Sequence, residues 1–310
     1  MQMKTSSLVR WLLSASVGVV VLTVLVPQIP AAAQDGSQYI PSILPDGQPN
    51  IQGIYVSPWR VPIEHWTDAE REEWGEQMVS VRGPNPGAYG LEWTESQLRQ
   101  DNPTEDMVAV VDPADGRVPW QSWALEKKTY IRNNPYDRKS FIDTRVRCLP
   151  AGTPRGTFSS SYNGWQVLQP PGHVVILYEH NHLYRVIPID GGPHPGEDIQ
   201  LWMGDSRGHW EGNTLVVEVT NFSDRTSYRG SGATRRLIER YTRVDEDTVQ
   251  VEITMDDPTT WTKPWTAVVE GKRDPNYWQI FEYACHEGNY GLRFMLEAAR
   301  AADTAETGDR

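Results

Sequence analysis

Cysteine is almost missing from this 310-residue chain, with only Cys148 and Cys285 present, so the sequence has room for one disulfide and no more. Cations are scarce too. Lys and Arg number 29 against 41 Asp and Glu, a net charge of −12. That balance argues against nucleic acid and anionic membrane surfaces, both of which demand basic patches. No cofactor fingerprint, recognised catalytic motif or internal repeat appears, so no cofactor is predicted and the reaction class stays open. The uncharged stretch Trp11 to Val26 falls short of the roughly 20 residues a spanning helix needs.

That stretch reads instead as the centre of an export signal. Lys4 and Arg10 precede it, Pro27 and Pro30 break it, and Ala31, Ala32 and Ala33 offer a small-residue cleavage site before Gln34. The leader has no Arg-Arg pair and no cysteine near the cleavage point, so the twin-arginine and lipoprotein routes are set aside. The expectation is a Sec-type signal over 1–33 and a periplasmic or extracellular protein without stable membrane insertion after cleavage; a retained anchor is the alternative. Removing the two leader cations takes the net charge from −12 to −14. In an oxidising compartment Cys148 and Cys285 most simply pair with each other. A nucleophilic Cys285 beside His286 is the alternative, though neighbours on a strand face opposite ways.

The period of the apolar residues divides the mature chain. Residues 34–140 read as a helical and loop-rich extension. Pro41, Pro45, Pro49 and Pro58 forbid a long element over 34–60. Capping boxes at Thr67–Glu70 and Thr94–Gln97 start helices, the first running to about Ser80, and a third helix spans Ser122 to Arg132. From about Val167 the period becomes two. Strand pairs are predicted at 173–178 with 183–189, at 237–244 with 248–255, and at 265–270 with 277–285, besides a strand over 214–222. Successive hairpins without helices between them make an antiparallel meander, so the fold class is mainly β, a barrel or a sandwich over 141–302. A C-terminal helix is predicted from Leu292 to Ala302, and 303–310 reads as a disordered tail.

Several segments carry a family resemblance: PDGQPNIQGIY (45–55), DPADGRVPW (112–120), RCLPAGTPR (147–155), GHVVILYEHNHLYRVI (172–187), WMGDSRGHWEGNTLVVEV (202–219), MDDPTTWTKPW (255–265) and FEYACHEGN (281–289). Together they resemble a widespread family of secreted bacterial proteins, with WEGNTLVV and CHEGN the most specific parts. The resemblance implies export and a single β-rich unit. It brings no activity and no catalytic residue to this chain.

Candidate chemistry gathers at the polar, tryptophan-bearing turns, since loops on a rigid scaffold are where sites are built. His180 and His182 share a face if their segment is a strand, and with His194 they are the candidate ligands of a divalent metal. The plainer reading is a pair of solvated turn histidines. Glu282 shares parity with Trp278, Ile280 and Ala284, and Glu239 with Leu237 and Tyr241, so either acid could face the interior. A carboxyl among apolar groups is raised in pKa and suits proton transfer. Asp205, Asp256 and Asp257 sit at turns with Arg207 and Arg185 as possible partners, and turn chemistry is the plainer reading for the Asp256-Asp257-Pro258 step. Gly204–Gly208 matches the Gly-x-Ser-x-Gly pattern with Ser206 at its centre, but no strand-to-helix elbow surrounds it. Trp202, Trp210, Trp261 and Trp265 offer apolar walls, and for any one of them a place in the core is the plainer reading.

These elements assemble into an expectation of acid–base chemistry on a small apolar or cyclic metabolite. Glu282 transfers the proton, His182 is a second acid or base, and Arg185, Arg207 and Asp205 complete the polar set. A non-catalytic small-molecule binding protein and a structural envelope protein are the alternatives.

Overall fold

The computed structural model describes residues 39–56, 63–65, 108–134 and 137–308, with gaps at 135–136, 139, 143, 145, 151, 159–163 and 227. The expected export signal and the helices expected at 67–80 and 94–97 lie outside the described residues. Among the described residues no helix is long and apolar enough to cross a membrane.

Among the described residues ten strands form one sheet: β1 (Gly53–Val56), β2 (Val110–Asp112), β3 (Gly164–Leu168), β4 (His173–Tyr178), β5 (Leu183–Pro188), β6 (Asp205–Glu211), β7 (Thr214–Thr220), β8 (Arg236–Arg243), β9 (Thr248–Asp256) and β10 (Trp265–Lys272). Their order is β5-β4-β3-β1-β10-β9-β8-β7-β6, with β2 also on β10. Every named pair is antiparallel. The mainly-β meander therefore stands, as a single sheet rather than two stacked ones. No hydrogen-bonded ladder joins the edge strands β5 and β6. They meet through side chains: Arg185 of β5 bonds Ser206 of β6, and Ile187 occupies the space beside Gly208 where a β-carbon would stand.

Alternation fills the concave side. Trp165, Val167, Val174, Ile176, Tyr178, Ile187, Leu215, Val217, Val219, Leu237, Tyr241, Val249, Val251, Ile253, Met255, Trp265 and Ala267 form one buried cluster with Tyr55 of β1. Large rings are accommodated where the facing strand has no side chain. Gly271 lies under the Trp165 indole, and a β-carbon there would stand 2.4 Å from Cζ2.

Among the described residues three α-helices accompany the sheet: α1 (Ser122–Asn133), α2 (Arg155–Phe158) and α3 (Gly291–Gly308). α2 reaches the core at Gly156, where an added β-carbon would meet the Tyr178 ring at 2.9 Å.

Three sequence expectations are corrected. The opening segment 34–60 is not wholly irregular, because Gly53–Val56 joins the sheet between β3 and β10. Residues 277–285 form no strand: the free side of β10 is already taken, by β1 at Lys272 and by β2 at Thr266 and Ala267. The tail is helical to Gly308 rather than disordered from Asp303.

Candidate functional site

The pleat that builds the core also turns polar residues inward. Arg185 pairs in register with the buried Ile176, and Glu239 lies between Val217 and Ile253. Both side chains are 1% exposed or less. Arg185 Nη1 donates to Glu239 Oε2 at 2.8 Å. Its Nε and Nη2 donate to Ser206 Oγ at 3.2 and 2.8 Å. Nη1 also lies 3.4 Å from the Tyr178 hydroxyl and 3.5 Å from that of Tyr241. Tyr241 donates to the same Glu239 Oε2 at 3.3 Å, and Thr157 of α2 reaches the Tyr178 hydroxyl at 3.5 Å. Residues from β4, β5, β6, β8 and α2 thus converge on one ion pair.

Burial opposes the charge of Arg185, but the neighbouring Glu239, with Tyr178 and Tyr241, outweighs it and holds the guanidinium well above its usual pKa. Burial, and then the charge of Glu239, push the Tyr241 phenol well above its ordinary value, so it remains a donor. Glu239 Oε1 is buried without a hydrogen-bond partner, as are the indole N–H groups of Trp165 and Trp265. Leaving a buried polar atom unmet costs about 1–3 kcal/mol. Exchanging a buried ion pair for apolar residues is often neutral or favourable. Removing one partner alone would leave an uncompensated buried charge, so the two side chains act as a unit.

The remaining sequence candidates fall elsewhere. Asp205 and Arg207 lie on β6 and bond each other, Nε to Oδ2 at 2.9 Å and Nη2 to Oδ1 at 3.3 Å. His194 joins them through Nδ1, 2.6 Å from Asp205 Oδ2. Ser206, between them, faces inward to Arg185, so no serine–histidine pair forms from GDSRG. His180 and His182 lie on a 3-10 turn, not a strand. The shared face is lost: His180 is buried, with its ring 4.8 Å from that of Tyr283, while His182 is exposed and accepts the Tyr283 N–H at 3.4 Å. Among the described residues no group of three or more His, Cys, Asp or Glu is placed to hold a metal ion.

Glu282 is exposed rather than inward, because its segment is not a strand and parity has no meaning there. It lines a cleft of about 360 Å³ with Tyr283, Ala284, Cys285, Glu287 and Asn289. Cys285 is disulfide-bonded to Cys148, which removes the nucleophile reading. Glu179 holds this segment down, accepting from the Tyr277 hydroxyl and from the Phe281 N–H at 3.1 Å. Trp261 and Trp265 are core residues meeting edge to face at 5.4 Å. Trp210 packs against the core, and Trp202 is half-buried. Asp257 is a turn residue whose carboxylate accepts from Thr234, Thr259 and Thr260.

Sequence reasoning reached Arg185 and Glu239 but not their pairing, and it missed Tyr178, Tyr241 and Thr157 as polar partners. The signal lay in parity, since Tyr178 follows Val174 and Ile176 inward and Tyr241 follows Glu239. No protein-family model and no curated protein matches the chain.

Proposed function

We propose that this is an exported small-molecule-binding protein whose ligand is held inside the curled sheet at the Arg185–Glu239 centre, against Trp165 and Trp265. The observation that carries the reading is the buried, unpartnered Glu239 Oε1 in a polar centre assembled from four strands and a helix. Export is inferred from the leader, and membership of the secreted bacterial family from the WEGNTLVV and CHEGN segments.

Native mass spectrometry of protein purified from a periplasm, compared with its denatured mass, tests both parts. The expected result is a chain lacking about the first 33 residues of signal, with an organic adduct that the denatured protein loses. A full-length chain refutes export, and a bare native mass counts against a tightly held ligand.

A second reading is favoured by the cleft that Glu282 lines. There, Glu282 and His182, which meets the adjacent Tyr283 N–H, act as acid and base on a small cyclic substrate. Glu282→Gln and His182→Ala variants that fold normally and keep full turnover would remove those roles.

A further inference from the structure

We infer that Cys148–Cys285 is an exchangeable disulfide: a small amine-bearing thiol enters the cleft that Cys285 lines, bonds Cys285 and displaces Cys148 as a thiolate. The inference is independent of both readings above.

Access comes first, because it separates an exchangeable disulfide from an inert one. The bond lies outside the buried core cluster, and both of its cysteines are half-buried rather than enclosed. Cys285 lines the cleft of about 360 Å³, whereas Cys148 is not among the lining residues. Residues 284 and 286–288 around Cys285 are exposed. A thiolate arriving through the cleft therefore meets Cys285 before Cys148.

The other sulfur is placed to leave. Asn289 Nδ2 donates to Cys148 Sγ at 3.1 Å and to the Val146 carbonyl at 2.9 Å, which holds the amide in position. A hydrogen bond from an N–H favours the anionic form of its acceptor, and the sulfur with the more stable thiolate departs faster. Cys148 also sits at φ 52°, in the left-handed region that residues with a β-carbon seldom occupy. Opening the crosslink removes one of the ties that keep it there.

The lining selects among thiols. Its charged residues are Glu282 and Glu287, with no lysine or arginine beside them. Two carboxylates repel a thiol that carries an acid and favour one that carries an ammonium. The space admits a small molecule. In the exchange the incoming sulfur bonds Cys285 Sγ, the S–S bond breaks, and its electron pair leaves on Cys148 Sγ. A second thiolate then attacks the external sulfur and frees Cys285. Two thiols are oxidised to their own disulfide, and their two electrons and two protons end on the two cysteines.

Exchange rates on the folded protein at low salt test this with cysteamine, mercaptoethanol and mercaptopropionate. Each rate is taken per thiolate and divided by that thiol's rate on hydroxyethyl disulfide, with tertiary circular dichroism recorded alongside. Early samples are blocked with ethylmaleimide and mapped by mass spectrometry. The first product is expected to carry the thiol on Cys285 and the maleimide on Cys148. Cysteamine should outpace mercaptopropionate by at least about 10-fold, the scale of two nearby carboxylates acting on a thiol two charges more negative. Glu282→Gln/Glu287→Gln should abolish that order while the adduct stays on Cys285; the parent series stands by itself if this variant does not fold. Asn289→Ala should move the first adduct towards an even split between the cysteines, a readout that a purely structural role for Asn289 leaves unmoved. An unchanged split overturns the leaving-group assignment. A first adduct on Cys148, equal normalised rates, or exchange that begins only after the tertiary signal is lost each overturns the whole inference, leaving a structural crosslink alone.

Discussion

Glu64 and Glu179 are both buried carboxylates, and their surroundings move them in opposite directions. Burial raises Glu64, but Arg229 and Lys128 outweigh it, with Oε1 at 2.7 and 3.0 Å from their nitrogens, so its pKa falls below the usual carboxylate value. For Glu179 burial prevails over the Phe281 N–H, and its pKa is raised. Glu64 contributes stability above its unfolded pKa of about 4.3 that is lost as pH falls through its lower folded value. Glu179 costs stability as pH rises from that unfolded value through its higher folded one. Urea unfolding of single variants at pH 4 and pH 7 reads this out. Glu64→Gln should lose about 1–3 kcal/mol at pH 7 and progressively less in acid. Glu179→Gln should stand better against the parent at pH 7 than at pH 4. Equal differences at both pH values would contradict the assigned shifts. At this scale the sequence was partly legible. Parity turned Glu239 inward correctly, because β8 is a strand flanked on both sides. It misplaced Glu282, whose segment has no ladder to give parity a meaning.

The strands differ in how much of them could be read. β8 and β9 alternate cleanly and are joined by a tight turn in which Asp245 accepts the Asp247 N–H at 2.8 Å, so pattern and turn chemistry agreed. β1 is four residues opened by a glycine, too short to show a period, and it joins the sheet because β3 and β10 leave it a slot. The seam between β5 and β6 is invisible in sequence, since contact there depends on side chains from opposite ends of the strand order. Gly208 is its test. A β-carbon at that position would stand 2.9 Å from Ile187 Cγ2, so Gly208→Ala must push β5 away or shift Ile187. The expected cost is about 1–3 kcal/mol in chemical denaturation. Ile187→Ala, which removes that methyl, should recover part of the loss, giving a favourable coupling of about 0.5–3 kcal/mol in a double-mutant cycle. Strict additivity would mean that the two strands do not press on each other.

For the whole molecule, the boundary near residue 140 drawn from the change of period does not divide the described structure. The described residues from Tyr39 onward group together, and β1 and β2 from the supposed extension are strands of the common sheet. What binds the last irregular stretch to this body is a set of long-range ties. Tyr277 and Phe281 bond Glu179, Asn289 bonds the Val146 carbonyl at 2.9 Å, and Cys285 is covalently joined to Cys148 across 137 positions. Chain entropy for so long a loop sets an upper figure of about 5 kcal/mol for the crosslink. The region it secures is exposed along 284 and 286–288 and carries little of the buried core. Losing the bond should therefore free the segment before the sheet opens. In a Cys148→Ser/Cys285→Ser variant the unfolding free energy should fall by about 2–5 kcal/mol. Limited proteolysis should cut between Trp278 and Tyr290 at denaturant concentrations where the sheet still holds its tertiary circular dichroism. If the variant instead resists cleavage there and unfolds at the parent midpoint, the hydrogen bonds to Glu179 and Val146 are sufficient anchors, and the disulfide adds nothing to the fold.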